Sequence, residues 1–214
     1  MLVSGRGCNA QALLAAMADG RIAARPALVL SSDPKAAALE RCGGDAVPTV
    51  ALDHRRYPGR DAFDAAMDAV LRAHGAQGLL LAGFMRVLTP GFVAAWHGRM
   101  LNIHPSLLPD HPGLHTHRRA LAAGSRRHGA TVHFVTAAVD GGPRVIQGAL
   151  SVAADDDEDR LAQKVLEQVE LKIYPQAASW WARGELWQDG GRAVFRGRVL
   201  TAPLTLSDLE PEFR

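Results

Sequence analysis

The sequence predicts an α/β fold, with a Rossmann-like, mostly parallel sheet, helices on both faces and a C-terminal hairpin. The first observation is that short apolar runs alternate with segments of helical periodicity over the first two thirds of the chain, which is typical of βαβ units. The second is a glycine turn directly after the first apolar run, at positions 4–9. With 214 residues, 48% of them hydrophobic, the chain can form one domain with a sizeable core.

The first half of the chain is a series of predicted strands and helices. The apolar runs that we interpret as strands are Leu2–Ser4, Ala27–Ser32, Val47–Leu52, Gly78–Phe84 and Met100–Ile103. Two helical faces lie between them, one of Leu13, Leu14 and Met17 ending at Gly20, and one of Phe63, Met67, Val70 and Leu71 ending near Gly75. The first strand is unusually short, so we expect either a stunted strand or a recorded start that is late.

After His104 the pattern changes. Further strands are predicted at Thr131–Thr136 and Arg144–Ser151, then a long helix with Leu161, Val165 and Val169 in the core. The acidic run Asp155–Asp159 falls where that helix begins, and capping together with the helix dipole explains it without a metal. Pro175 is expected to end the helix, and Leu186–Phe195 around Asp189-Gly-Gly predicts a hairpin, followed by a tail with no predicted element.

Composition and charge argue against several classes of protein. The formal net charge is only +2, and the basic residues are dispersed, which disfavours nucleic acid as the main partner. No apolar run approaches the roughly 18 residues of a membrane span, and no basic-then-apolar leader is visible. The two cysteines, Cys8 and Cys42, are expected to be free thiols in a reducing cytoplasm.

The glycine turn Ser4-Gly-Arg-Gly-Cys-Asn9 precedes a predicted helix, a context in which backbone N–H groups can hold a phosphate. Ala10 replaces the third glycine of the dinucleotide fingerprint, and the turn lacks the Lys-Ser/Thr ending of a P-loop. Neither a nicotinamide nor an ATP site is therefore favoured. A purely structural tight turn remains the alternative, with Cys8 as a small residue in it.

Seven of the nine histidines lie between His97 and His133. Asn102 and His104 end a predicted strand, and alternation points both to the same side, where they can converge on one oxygen. Solvation or capping would explain His97, His111 and His128, whereas a supporting hydrogen bond stays open for His115, His117 and His133. A zinc site of His111, His115 and His117 lacks the spacing of a helical zinc motif, so no metal is expected.

Six blocks, taken together and in order, are similar to the glycinamide ribonucleotide formyltransferases of the folate-dependent formyltransferase family. The blocks are Ser4–Asn9 (SGRGCN), Leu81–Leu88 (LAGFMRVL), Asn102–Pro109 (NIHPSLLP), Gly113–His117 (GLHTH), Gly129–Val135 (GATVHFV) and Asp140–Pro143 (DGGP). The similarity extends from about Gly5 to Trp187. It implies transfer of a formyl group from 10-formyltetrahydrofolate, as co-substrate, to the amine of glycinamide ribonucleotide in de novo purine (IMP) biosynthesis.

The resemblance also implies the organisation of the chain and its partners. Residues 1–214 would form one formyltransferase domain, with a phosphate- and substrate-binding half at 1–100, a catalytic and folate-binding half at 101–188, and a hairpin and tail at 189–214. The expected partners are small molecules, without metal, nucleotide cofactor, nucleic acid or membrane. The expected state is a cytoplasmic monomer or weak homodimer.

Site residues are assigned by matching positions to the family motifs. Asn102, His104 and Asp140 match the catalytic group, although composition alone would make Asp140 an Asx-type turn residue. The substrate-binding positions are Gly7, Cys8, Asn9, Arg60, Met85, Arg86, Val87, Leu88 and Glu170. The folate-binding positions are Leu81, Arg86, Val87, Leu88, Phe92, Val93, Met100, Val135, Ala137, Val139 and Asp140, with His115 and His133 in supporting roles.

Two positions depart from the family pattern. Cys8 stands where a serine is usual, and Leu171 follows Glu170 where a histidine is common. Both departures bear on substrate contacts and not on the chemistry, in which an amine attacks the formyl carbon and negative charge develops on the formyl oxygen. Asn102 and His104 would donate to that oxygen, and the Asp140 carboxylate is expected to raise the pKa of His104 and favour its imidazolium form.

Three other functions are weighed against this one. A methionyl-tRNA formyltransferase would carry a further RNA-binding domain at its carboxyl end, and a formyltetrahydrofolate hydrolase a regulatory domain at its amino end; we expect neither. A domain that binds the same ligands without turnover is disfavoured by the intact Asn102, His104 and Asp140.

Overall fold

The computed structural model describes residues 1–44 and 47–214. In these residues the strands are β1 (Leu2–Val3), β2 (Val29–Ser31), β3 (Thr49–Ala51), β4 (Leu79–Leu81), β5 (Met100–His104), β6 (Arg127–Phe134), β7 (Arg144–Ser151), β8 (Leu186–Asp189), β9 (Arg192–Phe195) and β10 (Arg198–Val199). The α-helices are α1 (Cys8–Ala18), α2 (Ala37–Cys42), α3 (Arg60–Ala73), α4 (Pro90–Ala95), α5 (Thr116–Ala122), α6 (Glu158–Val165) and α7 (Leu171–Ala182). A π-helical segment at Leu166–Glu170 joins the last two.

The main sheet has the order β3-β2-β1-β4-β5-β6-β7. Its first five strands are parallel and the last two antiparallel, so the predicted fold class is confirmed. Successive residues of a strand alternate between two apolar cores: Leu79 and Leu81 belong to one, whereas Leu80 belongs to the other. Both faces of the sheet are therefore covered by helices, as the near-continuous apolar strands require.

The first strand is short yet central. Its two residues pair with β2 on one side, and Leu2 pairs with Leu81 of β4 on the other. Because strand order reverses between β1 and β4, the carboxyl ends of these strands flank a crevice, the place where open α/β sheets bind ligands.

The prediction that Pro175 ends the last long helix is wrong. Pro175 lies inside α7. The π-helical segment ends at Glu170, so the regular hydrogen-bond pattern is already interrupted one turn before the proline. Every residue from Ile173 to Trp180 is buried, and this packing holds the helix despite the missing N–H donor.

The acidic run before α6 acts as predicted for a helix start. Asp157 is the N-cap and accepts from the Arg160 N–H at 2.8 Å, and Glu158 and Asp159 occupy the first turn. The favourable interaction of carboxylates with the helix N-terminus accounts for them.

The chain after the predicted hairpin is ordered and structured. The hairpin of β8 and β9 is confirmed, and β10 extends it to three strands. Beyond it, Leu204 bridges Ile146 of β7 in parallel and covers that edge of the main sheet. Leu209 and Phe213 are buried, while Glu210 accepts hydrogen bonds from Arg183 and Arg196.

Several boundaries differ from the predictions. The strand β6 begins at Arg127, four residues before the predicted start, because its pairing with β7 extends back to Arg127 opposite Ser151. Short helices α2, α4 and α5 were not predicted, since six or seven residues give too little periodicity to detect. Across the described chain, no helix combines the length and apolar composition that a membrane crossing needs.

Candidate active site

A cleft of about 570 Å³ lies at the carboxyl ends of the central strands. Three kinds of wall enclose it: the glycine turn before α1, the polar end of β5 with its neighbours, and an apolar loop surface. Residues from positions 6 to 170 contribute, so distant parts of the chain form one site.

The glycine turn presents the N-terminus of α1 to the cleft. Gly7, Cys8 and Asn9 all line it. Gly7 has φ +83°, and a Cβ there would lie 2.7 Å from the Ala38 Cβ, so only glycine fits. No side chain caps α1 and no acidic residue lies in its first turn, so its backbone N–H groups are available to an anion.

Glu170 reaches the same end of the cleft from the π-helical segment. Its carboxylate accepts a 2.6 Å hydrogen bond from Asn9 Nδ2, and the side chain is buried. Burial raises the pKa of Glu170, while the Asn9 bond and the Arg6 charge act in the opposite direction. Single π-helical turns are frequent at functional sites, and this one carries two cleft residues, Leu166 and Glu170.

The polar wall begins with a row of paired residues on neighbouring strands. Asn102 of β5 is in register with His133 of β6, and Asn102 Nδ2 donates to His133 Nε2 over 3.1 Å. The Phe134 carbonyl can only accept, so His133 Nδ1 carries the proton in their 2.9 Å hydrogen bond. This tautomer leaves Nε2 free to accept from the amide of Asn102.

His104 and Asp140 meet beside that row. His104 Nδ1 lies 3.3 Å from Asp140 Oδ2, and His133 Nε2 lies 3.6 Å from Asp140 Oδ1. Asp140 also accepts a 2.8 Å hydrogen bond from the Gly113 N–H and has a left-handed backbone at φ +52°. His104 Nε2 donates to the His111 carbonyl over 3.0 Å. Three sequence segments thus converge on one imidazole–carboxylate pair.

The Asp140 charge raises the pKa of His104, as expected, but it does not decide the net direction. Burial lowers the pKa of His104 below its usual 6.5, outweighing the His111 hydrogen bond and the Asp140 charge, which both raise it. For Asp140, burial raises the pKa, but contacts with His133, the Gly113 N–H and His104 outweigh it and hold the pKa below 3.8. Because Nε2 of His104 carries a proton toward the His111 carbonyl, a neutral ring faces Asp140 with an unprotonated Nδ1, and a second proton on Nδ1 makes the 3.3 Å contact a hydrogen bond.

The third wall is apolar and open to solvent. Of the six large hydrophobic side chains exposed among the described residues, four line the cleft: Met85, Val87, Leu114 and Val139. Exposed apolar surface concentrated in a concave site is typical of a ligand pocket. Of the other predicted positions, those that also line the cleft are Leu81, Arg86, Leu88, Val135 and Ala137.

Four predicted positions lie away from the cleft. Phe92, Val93 and Met100 are packed in the core behind its wall, with 5%, 5% and 1% of their surface exposed. Arg60 is exposed at the first position of α3 and is not part of the cleft lining. Phe92, Val93 and Met100 follow the periodicity of buried elements, which favours packing over ligand contact.

The histidines after His104 separate into different environments. His115 lies at the exposed rim of the cleft, with Nδ1 3.3 Å from Arg118. His117 lines the cleft and pairs with the buried His128 over 3.1 Å. In residues 1–44 and 47–214 no three His, Cys, Asp or Glu side chains are grouped as metal ligands would be.

Sequence reasoning missed several residues of the cleft. The carboxyl-terminal part of the lining includes Glu158, Ala162 and Leu166 on α6 and the π-helical segment, and a loop adds Leu114. The helical periodicity showed only which residues share a face of the helix. Whether that face meets the cleft, and where the Leu114 side chain lies, depends on parts of the chain that are distant in sequence.

Comparisons with known proteins agree with this geometry. A family model described as Formyl transferase matches residues 1–178. Phosphoribosylglycinamide formyltransferase of Escherichia coli (strain K12) is 42% identical over 204 residues, which cover 92% of this chain and 96% of the relative. The trifunctional purine biosynthetic protein adenosine-3 of Homo sapiens is 39% identical over 184 residues, covering 86% of this chain and 18% of that longer protein.

Solved structures agree as well. A phosphoribosylglycinamide formyltransferase from Coxiella burnetii superposes with a TM-score of 0.89 at 38% identity, covering 95% of this chain and 96% of the other. Glycinamide ribonucleotide transformylase 1 from Symbiobacterium toebii has a TM-score of 0.87 at 43% identity, covering 91% of each chain. With the family model matching most of the chain and the fold, cleft and sequence all concordant, the chain belongs to the formyl transferase family.

Proposed function

We propose that this chain is a phosphoribosylglycinamide formyltransferase, which transfers the formyl group of 10-formyltetrahydrofolate to the amine of glycinamide ribonucleotide in purine biosynthesis. The observation that carries the proposal is the pairing of His104 with Asp140 at 3.3 Å, next to Asn102. This polar group lies between a helix N-terminus suited to phosphate and an apolar wall suited to a pterin.

The two substrates approach from opposite ends of the cleft. The phosphate of glycinamide ribonucleotide binds the backbone N–H groups at Gly7, Cys8 and Asn9, where the uncapped N-terminus of α1 offers several donors together. Glu170, held by Asn9, accepts a hydrogen bond from the sugar or the amine. We retain Arg60 and the segment Met85, Arg86, Val87 and Leu88 as substrate-binding positions.

The pterin occupies the apolar end. Leu81, Val135, Ala137 and Val139 flank it, together with the same 85–88 segment. Phe92, Val93 and Met100 act from behind this wall, since their side chains pack in the core and set its shape. The formyl group then lies between the two substrates, beside Asn102 and His104.

Asn102 donates to the formyl oxygen as negative charge develops there. One N–H of its amide is used by His133, and the other has no partner among the described residues, so it can point into the cleft. Loss of one such donor costs on the order of 10²–10³ in rate.

His104 carries the proton between the two substrates. In its neutral form the ring carries its one proton on Nε2, toward the His111 carbonyl, so Nδ1 accepts the proton that the amine loses as it attacks, and the ionised Asp140 stabilises the imidazolium that forms. The imidazolium then protonates the folate nitrogen as the carbon–nitrogen bond to the formyl group breaks. The proton that the amine loses is thus the one that the folate nitrogen gains, and His104 returns to its starting form. No covalent enzyme intermediate is needed.

The remaining expectations are part of the proposal. Catalysis uses no metal and no nucleotide cofactor, and the partners are small molecules, with neither nucleic acid nor membrane involved. The protein acts as a monomer or weak homodimer. A cytoplasmic location rests on the two cysteines, both free thiols in the structure.

The test is to mix the protein with 10-formyltetrahydrofolate and follow tetrahydrofolate release by absorbance, with and without glycinamide ribonucleotide. Release that requires the amine supports the proposal. Release without the amine would instead indicate a hydrolase, and no release from folded protein would exclude turnover. Glycinamide riboside, which lacks the phosphate, is the matched control, and it should react with a much higher KM.

A further inference from the structure

The loop of residues 105–113 contacts both members of the imidazole–carboxylate pair. Its His111 carbonyl accepts from His104 Nε2 at 3.0 Å, and its Gly113 N–H donates to Asp140 Oδ2 at 2.8 Å. His111 has φ +51°, a left-handed conformation that a non-glycine residue adopts only when its surroundings impose it. The position of this loop therefore decides which acceptor faces His104.

The loop is tied to the sheet at the Leu108 carbonyl. Gln147 Nε2 and Arg144 Nη1 each donate to that oxygen over 2.7 Å. Gln147 Nε2 also donates to Thr131 Oγ1 at 2.9 Å. The Thr131 hydroxyl in turn donates to the Ser106 carbonyl at 2.7 Å and accepts from the Leu108 N–H at 3.1 Å. Every hydrogen-bonding position of that hydroxyl is used.

Gln147 and His104 belong to one row across three strands. His104 of β5 is in register with Thr131 of β6, and Thr131 is in register with Gln147 of β7. The backbone ladder thus fixes the distance between the imidazole and the amide that holds its loop. Gln147 is half-buried and Leu108 is buried, so losing the Gln147 bond leaves the carbonyl with Arg144 as its remaining donor among the described residues, and water cannot freely replace the lost amide.

We propose that Gln147 is a positioning residue for formyl transfer: its amide anchors the 105–113 loop, so that the His111 carbonyl binds His104 Nε2 and directs Nδ1 toward Asp140. The inference rests on the proposed function for its kinetic consequence. Gln147 does not line the cleft, and it acts only through the loop. Arg144 supports the same carbonyl from the exposed side of β7.

The test is Gln147→Met, which preserves length and removes both donors. Misplacement of a catalytic group by about 1 Å costs up to about 100-fold, so kcat should fall by about 10- to 100-fold while KM for either substrate changes by less than about threefold. Arg144→Met should act in the same direction with a smaller loss, because that donor is exposed. The matched control is Gln163→Met, whose amide contacts only Glu167 on the exposed face of α6.

A second readout does not depend on activity. NMR of the imidazole nitrogens and protons should show the Nε2 proton of His104 in hydrogen-bonded form, and Gln147→Met should weaken that signature. Because the His111 hydrogen bond raises the pKa of His104, its loss should move the titration of His104, and the acid limb of kcat, to lower pH. Gln163→Met should leave both unchanged.

The outcomes separate the inference from the proposed function. An active protein whose Gln147→Met variant keeps the wild-type kcat, pH profile and His104 signals would overturn the inference. If the wild type lacked transferase activity but the variant still altered the His104 signals, the proposed function would fail while the positioning role stood. Should Gln147→Met not fold, Gln147→Asn, with the same amide one methylene shorter, is measured by the same criteria.

Discussion

The two ends of the cleft offer different kinds of polar group to a ligand. At the α1 end, the donors are backbone N–H groups, and their arrangement depends on a glycine that nothing larger can replace. At the β5 end, the polar atoms belong to the side chains of His104 and Asp140, whose protonation depends on neighbours from three segments of the chain. The first end should therefore tolerate a change of side chain, such as Cys8 in place of the family's serine, whereas the second should not.

The largest expected effect is at the β5 end. His104→Ala removes the group that we propose transfers the proton, and Asp140→Asn removes the charge proposed to stabilise its cationic form. Each should lower kcat by about 10²–10⁴, with much smaller changes in substrate affinity. Steady-state kinetics together with equilibrium binding of both substrates would measure this. Near wild-type turnover in either variant would remove that residue from the mechanism.

Gly7→Ala tests the α1 end and should have the next largest effect. Its new Cβ would meet the Ala38 Cβ at 2.7 Å, and φ is +83°, so the turn must shift. We expect a loss of stability of about 1–3 kcal/mol and a raised KM for the phosphate-bearing substrate. Urea unfolding and kinetics against both substrates are the measurements.

The control for this variant is Cys8→Ser. The Cys8 side chain contributes one long contact, 3.8 Å from Arg41, so its replacement should change KM by less than about threefold. A large effect of Cys8→Ser together with a small effect of Gly7→Ala would reverse the comparison between backbone and side-chain recognition.

The smallest expected effect is a loss of folding stability at acid pH. Burial and the neighbouring His117, His111 and His104 lower the pKa of His128 to about 4. Between that value and the unfolded value near 6.5, the unfolded chain binds a proton that the folded chain does not, so stability must fall as pH falls from 6.5 toward 4. A loss on the order of 1.5 kcal/mol by pH 5 is expected.

Urea unfolding at pH 7 and pH 5 would detect this loss of stability. His128→Gln should flatten the acid dependence, whereas His74→Gln, at the exposed end of α3, should leave it as in the wild type. If His128→Gln kept the full acid loss, the sensitivity would have to be assigned to other histidines whose pKa is lowered, such as His104 and His117.

The structure also shows why particular predictions succeeded. Asn102 and His104 were found because strand alternation and strand-end position are local properties, and both residues line the cleft. The start of α6 was found because capping depends on a few neighbouring residues. The prediction from Pro175 was wrong because helix breaking by proline is a local effect, whereas the packing that keeps α7 helical comes from the rest of the fold.

The sequence by itself determined the α/β class, the approximate positions of the main strands along the chain, the glycine turn and the strand-end Asn-x-His pair. All of these follow from periodicity, glycine geometry and neighbouring residues. Only the tertiary structure decided that Asp140 contacts His104, that burial lowers the pKa of His104, and that Gln147 holds the loop between them. The two contacts join residues far apart in the chain, and the direction of the pKa shift depends on burial. A single sequence specifies neither.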